Sequence, residues 1–454
     1  MLFALAGLLI GGIDDFLLDL FYLAREARRR LFVFTRHRRM TSPNLPAPRI
    51  PGVVAIFIPA WDEAEVIGAM LKHTLGAWGS SKFRIFVGTY PNDPATIRAV
   101  ADIAHQDARV SLVILPHPGR TTKADCLNHL WKAMLRQEAR DAMLFKAVVL
   151  HDAEDVVHAD EIRLFDTMIE RFDMVQLPVR PLISQQSQWI AGHYADEFAE
   201  AHGKHLVLRE AIGAAVPSAG VGCAFARAMM HGIANDRGGL PFDAASLTED
   251  YEIGLRLAER GGRTAFIVMR DAQGDLICTQ EHFPDRLGDA IRQKARWFVG
   301  ISLAGWDRLG WRGSWREHWM RLHDRRAGLA ALVLFATYVA SIGYCLIAIF
   351  AALGLIAPTD YPPAARLALT VTFYLMLWRL GFRFFWSTHA YGLKQGLRSI
   401  PRTIIANFIA MLAARRAIGL YIDQLRHNTV VWEKTRHRFP GAEVITAKDA
   451  PDAV

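Results

Sequence analysis

The stretch VVLHDAEDVVH, Val148 to His158, runs an apolar strand straight into a cluster of ionisable groups. His151, Asp152, Glu154 and Asp155 all follow within five residues of Leu150. Acidic side chains at the mouth of a buried strand repel one another and resist desolvation. Either they face water at a strand end or a cation neutralises them, and the surrounding fold decides which.

Upstream, strand and helix signals alternate. GVVAIFIP, Gly52 to Pro59, reads as a buried strand by its continuous β-branched run. DEAEVIGAMLKHTL then reads as a helix, with Asp62 and Glu63 near its positive end. FRIFVGTY is a second strand, and PNDPATIRAVADIA a helix capped by Asp93 with Pro94 in its first turn. RVSLVILP, KADCLNHLWKAML and FKAVVLHDAED continue as strand, helix and strand. These β–α units, from about Arg49 to His323, predict an α/β fold with a Rossmann-like, mostly parallel sheet. Ligands of such sheets bind beyond the carboxyl ends of the strands, where HDAED lies. There is no GxGxxG after the first strand and no GxxxxGK[ST], which argues against dinucleotide and P-loop sites.

Three further constellations follow. PSAGVGCAFAR, Pro217 to Arg227, is a glycine-rich turn that lets a ligand approach the backbone closely. SLTEDYEIGLRLAERG opens a helix with Thr248, Glu249 and Asp250. IRQKARWFVG places Gln293, Arg296 and Trp297 at spacings of three and four, on one helical face. Each alone has a plain reading. Asp93 and Thr248 also read as helix caps, Glu249 and Asp250 as first-turn acids, and Trp297 as a membrane-interface aromatic.

Composition points to a membrane. The 454 residues are 52% hydrophobic, and 53 basic against 45 acidic side chains give a net charge of +8. The basic residues carry no nucleic-acid motif. Many flank apolar runs instead, as in AREARRR and HDRRAGLA, which reads as topology. Cys126, Cys223, Cys278 and Cys345 are far apart without a CxxC, so they read as reduced thiols. Ala327 to Ile356 lacks any charged residue and exceeds the ~20 residues a span needs. APTDYPPAA is a short turn, and a second span begins near Ala365 and ends at Trp378 to Trp386, with Arg379 and Arg383 at the cytoplasmic interface. The N-terminal run reads as a retained anchor or an amphipathic helix. Asp14, Asp15 and Asp19 within it would each cost roughly 2.5–3.5 kcal/mol at a span centre. Thr403 to Ile422 carries Arg415 and Arg416 and has basic flanks, so it fits an interfacial helix better than a crossing one. The expected organisation is an anchor and basic linker over 1–48, a catalytic domain over 49–323, a membrane region of two spans and an interfacial helix over 324–440, and a flexible tail over 441–454. The N-terminus is expected outside and the catalytic domain inside.

The motif order PAWDEA, HDAED, LTEDYE and QKARW resembles that of membrane glycosyltransferases of family 2, including cellulose and hyaluronan synthases. The resemblance covers about Pro51 to Gly300. PAWDEAEVI, HDAEDVVH and VVWEKTRHRFPG look most like the phage-adsorption type within that family. Relatives of that type often carry a C-terminal cyclic-di-GMP-binding domain, which this chain is expected to lack. The resemblance implies a GT-A fold and an inverting, metal-dependent transferase that uses a nucleotide-diphosphate sugar, with UDP expected. Asp152 and Glu154 would hold Mg2+ or Mn2+ against the leaving diphosphate. Pro59, Trp61, Glu63, Asp93, Lys123, Asp152, Gln293 and Arg296 would bind the donor. Asp250 would be the base, with Glu249 and Thr248 beside it. Trp297, Gly220, Gly222 and Cys223 would meet the acceptor. Asp155 would either orient the metal ligands or cap the next helix.

Two departures stand out. GTYPND replaces the usual second-strand acidic pair, leaving Asp93 as the base reader, and Glu154 stands where Asp is usual. The implied setting is a bacterial inner membrane, with a carbohydrate or lipid-linked acceptor, an envelope or exopolysaccharide product and a polysaccharide-export or regulatory partner. Two rival readings are transfer of a single sugar to a polyprenyl-phosphate or lipid carrier, and a non-catalytic part in envelope assembly or phage entry.

Overall fold

The computed structural model describes residues 1–119, 121–357, 361–427 and 438–440. The tail expected over 441–454, most of VVWEKTRHRFPG and residues 358–360 of the APTDYPPAA turn lie outside the described residues.

After α1 (Leu2–Arg28), the chain alternates through β1 (Val54–Pro59), α2 (Ile67–Trp78), β2 (Phe83–Thr89), α3 (Pro94–Gln106), β3 (Val110–Ile114), α4 (Lys123–Asp141) and β4 (Ala147–Leu150). It continues through α5 (Glu161–Met168), β5 (Met174–Gln176), β6 (Val179–Leu182), α6 (Ile190–Glu200), α7 (Leu206–Ala211), β7 (Cys223–Ala226), α8 (Arg227–Asp236) and α9 (Glu249–Glu259). Then come β8 (Thr264–Phe266), β9 (Thr279–His282), α10 (Leu287–Trp297), α11 (Ala304–Leu309) and α12 (Trp315–Arg325). Three long helices follow: α13 (Ala327–Ala352), α14 (Pro363–Tyr391) and α15 (Leu393–His427).

Seven strands form one sheet in the order β3-β2-β1-β4-β7-β5-β8, and β6 pairs with β9 in a second. All pairings are parallel except those of β7 with β4 and β5. The sheet is therefore mostly parallel, as the β–α alternation predicts. Helices cover both faces. Along β1, Val54, Ile56 and Ile58 pack with α2, α3 and α5, while Ala55 and Phe57 pack with α4, α8 and α9. This two-sided burial explains why β1 reads as a continuous apolar run rather than an alternating one.

Register brings the motifs together. β1 and β4 run parallel with Phe57 opposite Leu150, so Pro59 and His151 emerge at one sheet edge. β7 runs the other way, with Cys223 opposite Leu150, so the turn before it approaches the same edge.

One boundary differs from the sequence reading. α2 starts at Ile67, not at Asp62. Asp62 instead takes a positive φ of 55°. Its N–H donates to Asp93 Oδ2 (2.6 Å), and Glu63 N–H donates to Thr96 Oγ1 (3.0 Å). These bonds pin the segment to the start of α3, where a helix could not go. Asp93 caps α3 as predicted, its Oδ1 accepting from Thr96 N–H.

α13, α14 and α15 are long and apolar enough to cross a membrane. α1 is not among them, because Asp14, Asp15 and Asp19 interrupt it. Those acids are paired rather than bare. Asp14 accepts from Arg326 (2.7 Å) and Trp319 (2.7 Å), Asp15 meets Arg326, and Asp19 meets Lys204 and accepts from Trp378 (2.8 Å). α1 thus lies along α13 and α14 through a polar seam. The interfacial helix expected at Thr403–Ile422 lies within α15. One side of α15 packs on the α/β domain: Ala413 and Ala417 meet Ala295 and Val299, and Arg402 pairs with Asp196 at 2.9 Å. Phe439 lies against the core beside His73, and Arg438 reaches Asp285 at 3.3 Å.

Candidate active site

A cavity of about 140 Å3 opens at the carboxyl edge of the sheet. Its wall draws on segments far apart in sequence. Pro59 and Glu63 come from the end of β1, Lys123 from the first turn of α4, and Asp152 and Glu154 from the end of β4. Thr248, Glu249 and Asp250 open α9, and Gln293, Arg296 and Trp297 share one face of α10.

HDAED divides its labour. His151 is fully buried, with Nδ1 2.7 Å from Asp155 Oδ2 and Nε2 2.9 Å from Glu161 Oε1. Burial alone would lower its pKa, but Glu161 and Asp155 outweigh that and push it up to about 10. Asp155 Oδ2 also accepts from Asp152 N–H at 3.0 Å, so Asp155 shapes the turn that presents Asp152. It does not cap the next helix, since α5 begins behind Asp160. Asp152 and Glu154 are left facing the cavity.

The lining is strongly acidic. Among the described residues, Glu63, Asp152, Glu154, Glu249, Asp250 and Glu281 face two cationic side chains, Lys123 and Arg296. Lys123 Nζ lies 2.6 Å from Asp152 Oδ1. Burial and the neighbouring Asp250 push Glu249 up to about 8. Asp250 is also raised by burial, although Lys123 opposes the shift. Hard carboxylate oxygens concentrated at a strand end suit a divalent cation such as Mg2+ or Mn2+.

α9 begins just after Thr248, whose side chain makes no capping bond and packs against Gly300. Asp250 Oδ1 accepts from Tyr251 N–H at 2.7 Å. Its other carboxylate oxygen fits against Gly220, which has φ 82° and where a Cβ would collide with it. Across the cavity, Gln293 Oε1 and Arg296 Nε are shielded from solvent and find no hydrogen-bond partner among the described residues. Trp297 stands in an aromatic wall with Tyr194, Phe198 and Phe283.

Five residues named from the sequence do not line the cavity: Trp61, Asp93, Gly220, Gly222 and Cys223. Trp61 packs edge-on to Tyr90, with ring centroids 5.0 Å apart. Each oxygen of Asp93 accepts one backbone N–H group, from Asp62 and Thr96, which fixes the carboxylate at the start of α3. Gly222 makes room for Thr279. Cys223 is buried in the sheet, accepts from Ser218 Oγ (3.1 Å), and has its thiol pushed up to about 12 by burial.

The structure adds residues that sequence reasoning missed, chiefly Glu281, Phe198 and Phe283. Glu281 sits on β9, and burial raises its pKa, with Asp155, Glu154 and Asp152 adding to the effect. Only the pairing of β9 with β6 and the bridge of Gln280 to Val156 bring it there, and no local spacing signals that.

With this geometry in place, the comparisons agree on one family. Residues 51–300 match the model described as Glycosyltransferase like family 2, and the chain belongs to that family. The chain is similar to Bacteriophage adsorption protein B of Escherichia coli (strain K12), 36% identical over 452 residues. That match covers 95% of this chain and 60% of the relative. Bacteriophage N4 adsorption protein B of Escherichia coli O157:H7 matches with the same figures. The chain thus spans 60% of the length of these curated relatives. Among solved structures, a mannosyltransferase from Pyrobaculum calidifontis in complex with GDP-Man and Mn2+ is similar, with TM-score 0.53 and 18% identity. The match covers 87% of this chain and 98% of that one, and it shows the GT-A fold.

Proposed function

We propose that this chain is an inverting, metal-dependent glycosyltransferase acting at a membrane surface. It takes a nucleoside-diphosphate sugar and builds a cell-envelope polysaccharide on a carbohydrate or lipid-linked acceptor. The observation that carries this reading is the convergence of β4, α9 and α10 on one acid-lined cavity that also holds Lys123 and Arg296.

Asp152 and Glu154 would hold Mg2+ or Mn2+, which would neutralise charge on the departing diphosphate. Lys123 and Arg296 meet the phosphate oxygens, and the unsatisfied Arg296 Nε is poised for such an acceptor. Gln293 orients the donor beside them. Asp250 accepts the proton of the acceptor hydroxyl as its oxygen bonds to the anomeric carbon. The bond from that carbon to the diphosphate breaks on the opposite side, and the nucleoside diphosphate leaves with the bonding electrons. Trp297, backed by Phe198 and Phe283, stacks on the acceptor ring. Asp93 caps α3, and UDP is the proposed donor nucleotide. α13 and α14 span the membrane, and α15 lies at its cytoplasmic face with one side on the catalytic domain.

The test is transfer in isolated membranes carrying the full chain, scanned over UDP- and GDP-sugars with Mg2+ or Mn2+ and followed by product analysis. Metal-dependent release of nucleoside diphosphate with a glycosylated product is the expected result. No turnover with any donor would overturn the reading.

A further inference from the structure

His117, Asp125 and His129 lie outside the cavity and take no part in the chemistry proposed there. His117 comes from the segment between β3 and α4, and Asp125 and His129 stand one turn apart on α4. His117 Nε2 lies 3.4 Å from Asp125 Oδ2, and His129 Nδ1 lies 3.7 Å from Asp125 Oδ1. One ligand atom from each falls within 4.8 Å of the others. The two rings meet edge to face, with centroids 5.3 Å apart. Asp125 Oδ2 is shielded from solvent yet makes no hydrogen bond among the described residues.

We propose that these three side chains bind a divalent transition-metal ion of the zinc class. Tetrahedral ligands at about 2.0–2.1 Å from zinc stand about 3.3 Å apart, close to the two separations seen here. Two imidazoles and a carboxylate leave a fourth position for water. Neutral imidazole nitrogens are common metal ligands. His129 Nδ1 also lies 3.0 Å from the Asp125 backbone carbonyl, and ligation exchanges that contact for a metal bond. The donor set differs from that of the cavity. Imidazole nitrogen suits zinc-class ions, and an all-carboxylate lining suits Mg2+ or Mn2+, so the two places sort metals by chemistry.

The ion clamps the segment before α4 onto the first turn of that helix. That segment carries Gly119, whose backbone N–H and C=O both bond to Asn92 (2.8 Å each) and which fits against the Trp61 ring. The same helical turn carries Lys123 into the cavity, roughly 200° around the helix from Asp125. Bound there, the ion would hold the Lys123 side of the cavity in place.

The test uses the full chain in detergent, stripped with a chelator and titrated with Co2+ alone. Wild-type protein should show the visible ligand-field absorption of one four-coordinate Co2+, displaced by Zn2+. Asp152→Asn with Glu154→Gln should keep it, and His117→Gln and His129→Gln should each lose it. Zn2+ should also raise the melting temperature of the wild type but not of the histidine variants, whose folding is checked by circular dichroism. Absorption absent from the wild type, or retained in both histidine variants, would overturn the proposal.

Discussion

Lys123 Nζ lies 2.6 Å from Asp152 Oδ1, which ties the first turn of α4 to the end of β4 across the cavity mouth. Burial works against the ammonium, but Asp152, Glu249 and Asp250 outweigh it and hold the pKa above the usual lysine value. The lysine therefore stays charged where a diphosphate would lie. A hydrogen bond to a charged group contributes about 1.5–3 kcal/mol, so Lys123→Met should raise the donor KM roughly tenfold or more. Donor kinetics in membranes check this, and an unchanged KM would remove Lys123 from the donor site.

Glu154→Gln keeps the size of the side chain but removes a charged oxygen from the cavity. The Mg2+ or Mn2+ concentration needed for half-maximal activity should rise about tenfold or more, the scale expected when metal coordination is disturbed. A metal titration of turnover reads this directly. Unchanged metal dependence would leave Asp152 without its proposed partner.

Gly220→Ala tests the fit of the glycine turn against Asp250. The position has φ 82°, and a Cβ would strike the carboxylate. Strain of this kind costs about 1 kcal/mol or more. Turnover should fall toward that of a base-deleting variant, while the protein still folds, as near-ultraviolet circular dichroism would show. Wild-type turnover in Gly220→Ala would mean that the turn and Asp250 are not in contact.

These residues also show where sequence reading stops. The continuous run of β1, the Asp93–Pro94 helix start and the position of HDAED at a strand end were legible, because each follows from local pattern. The one-face spacing of Gln293, Arg296 and Trp297 held for the same reason. What escaped depends on register between distant strands. Glu281 reaches the cavity through β6–β9 pairing, and antiparallel β7 brings the turn before Cys223 to the same edge, where Ala219 and Val221 rather than Gly220 line the cavity. A sequence also does not reveal that the second oxygen of Asp93 accepts from Asp62 N–H. The acids of α1 looked costly for want of their partners Arg326, Lys204 and Trp378, which lie hundreds of residues away.

Glu249 gives the cavity a pH signature. Its folded pKa is raised from 4.5 to about 8, by burial first and by Asp250 second. A raised carboxyl pKa contributes stability in full below the unfolded value, and that contribution is lost as pH rises through the folded value. The window therefore runs from about 4.5 to about 8. With chelator present, wild-type melting temperature should fall across this window by more than that of Glu249→Gln, which cannot ionise. Parallel curves for the two proteins would contradict the linkage.

The central claim is that Asp250 takes the acceptor proton in the cavity where Asp152 and Glu154 meet the donor. Asp250→Asn preserves shape and removes basicity, so the decisive measurement is nucleoside-diphosphate release by this variant alongside its donor affinity. Turnover should fall by roughly 10² or more, the usual scale for loss of a general base, with donor binding near the wild-type value. Near-normal turnover with Asn at this position would contradict the account and pass the role of base to Glu249.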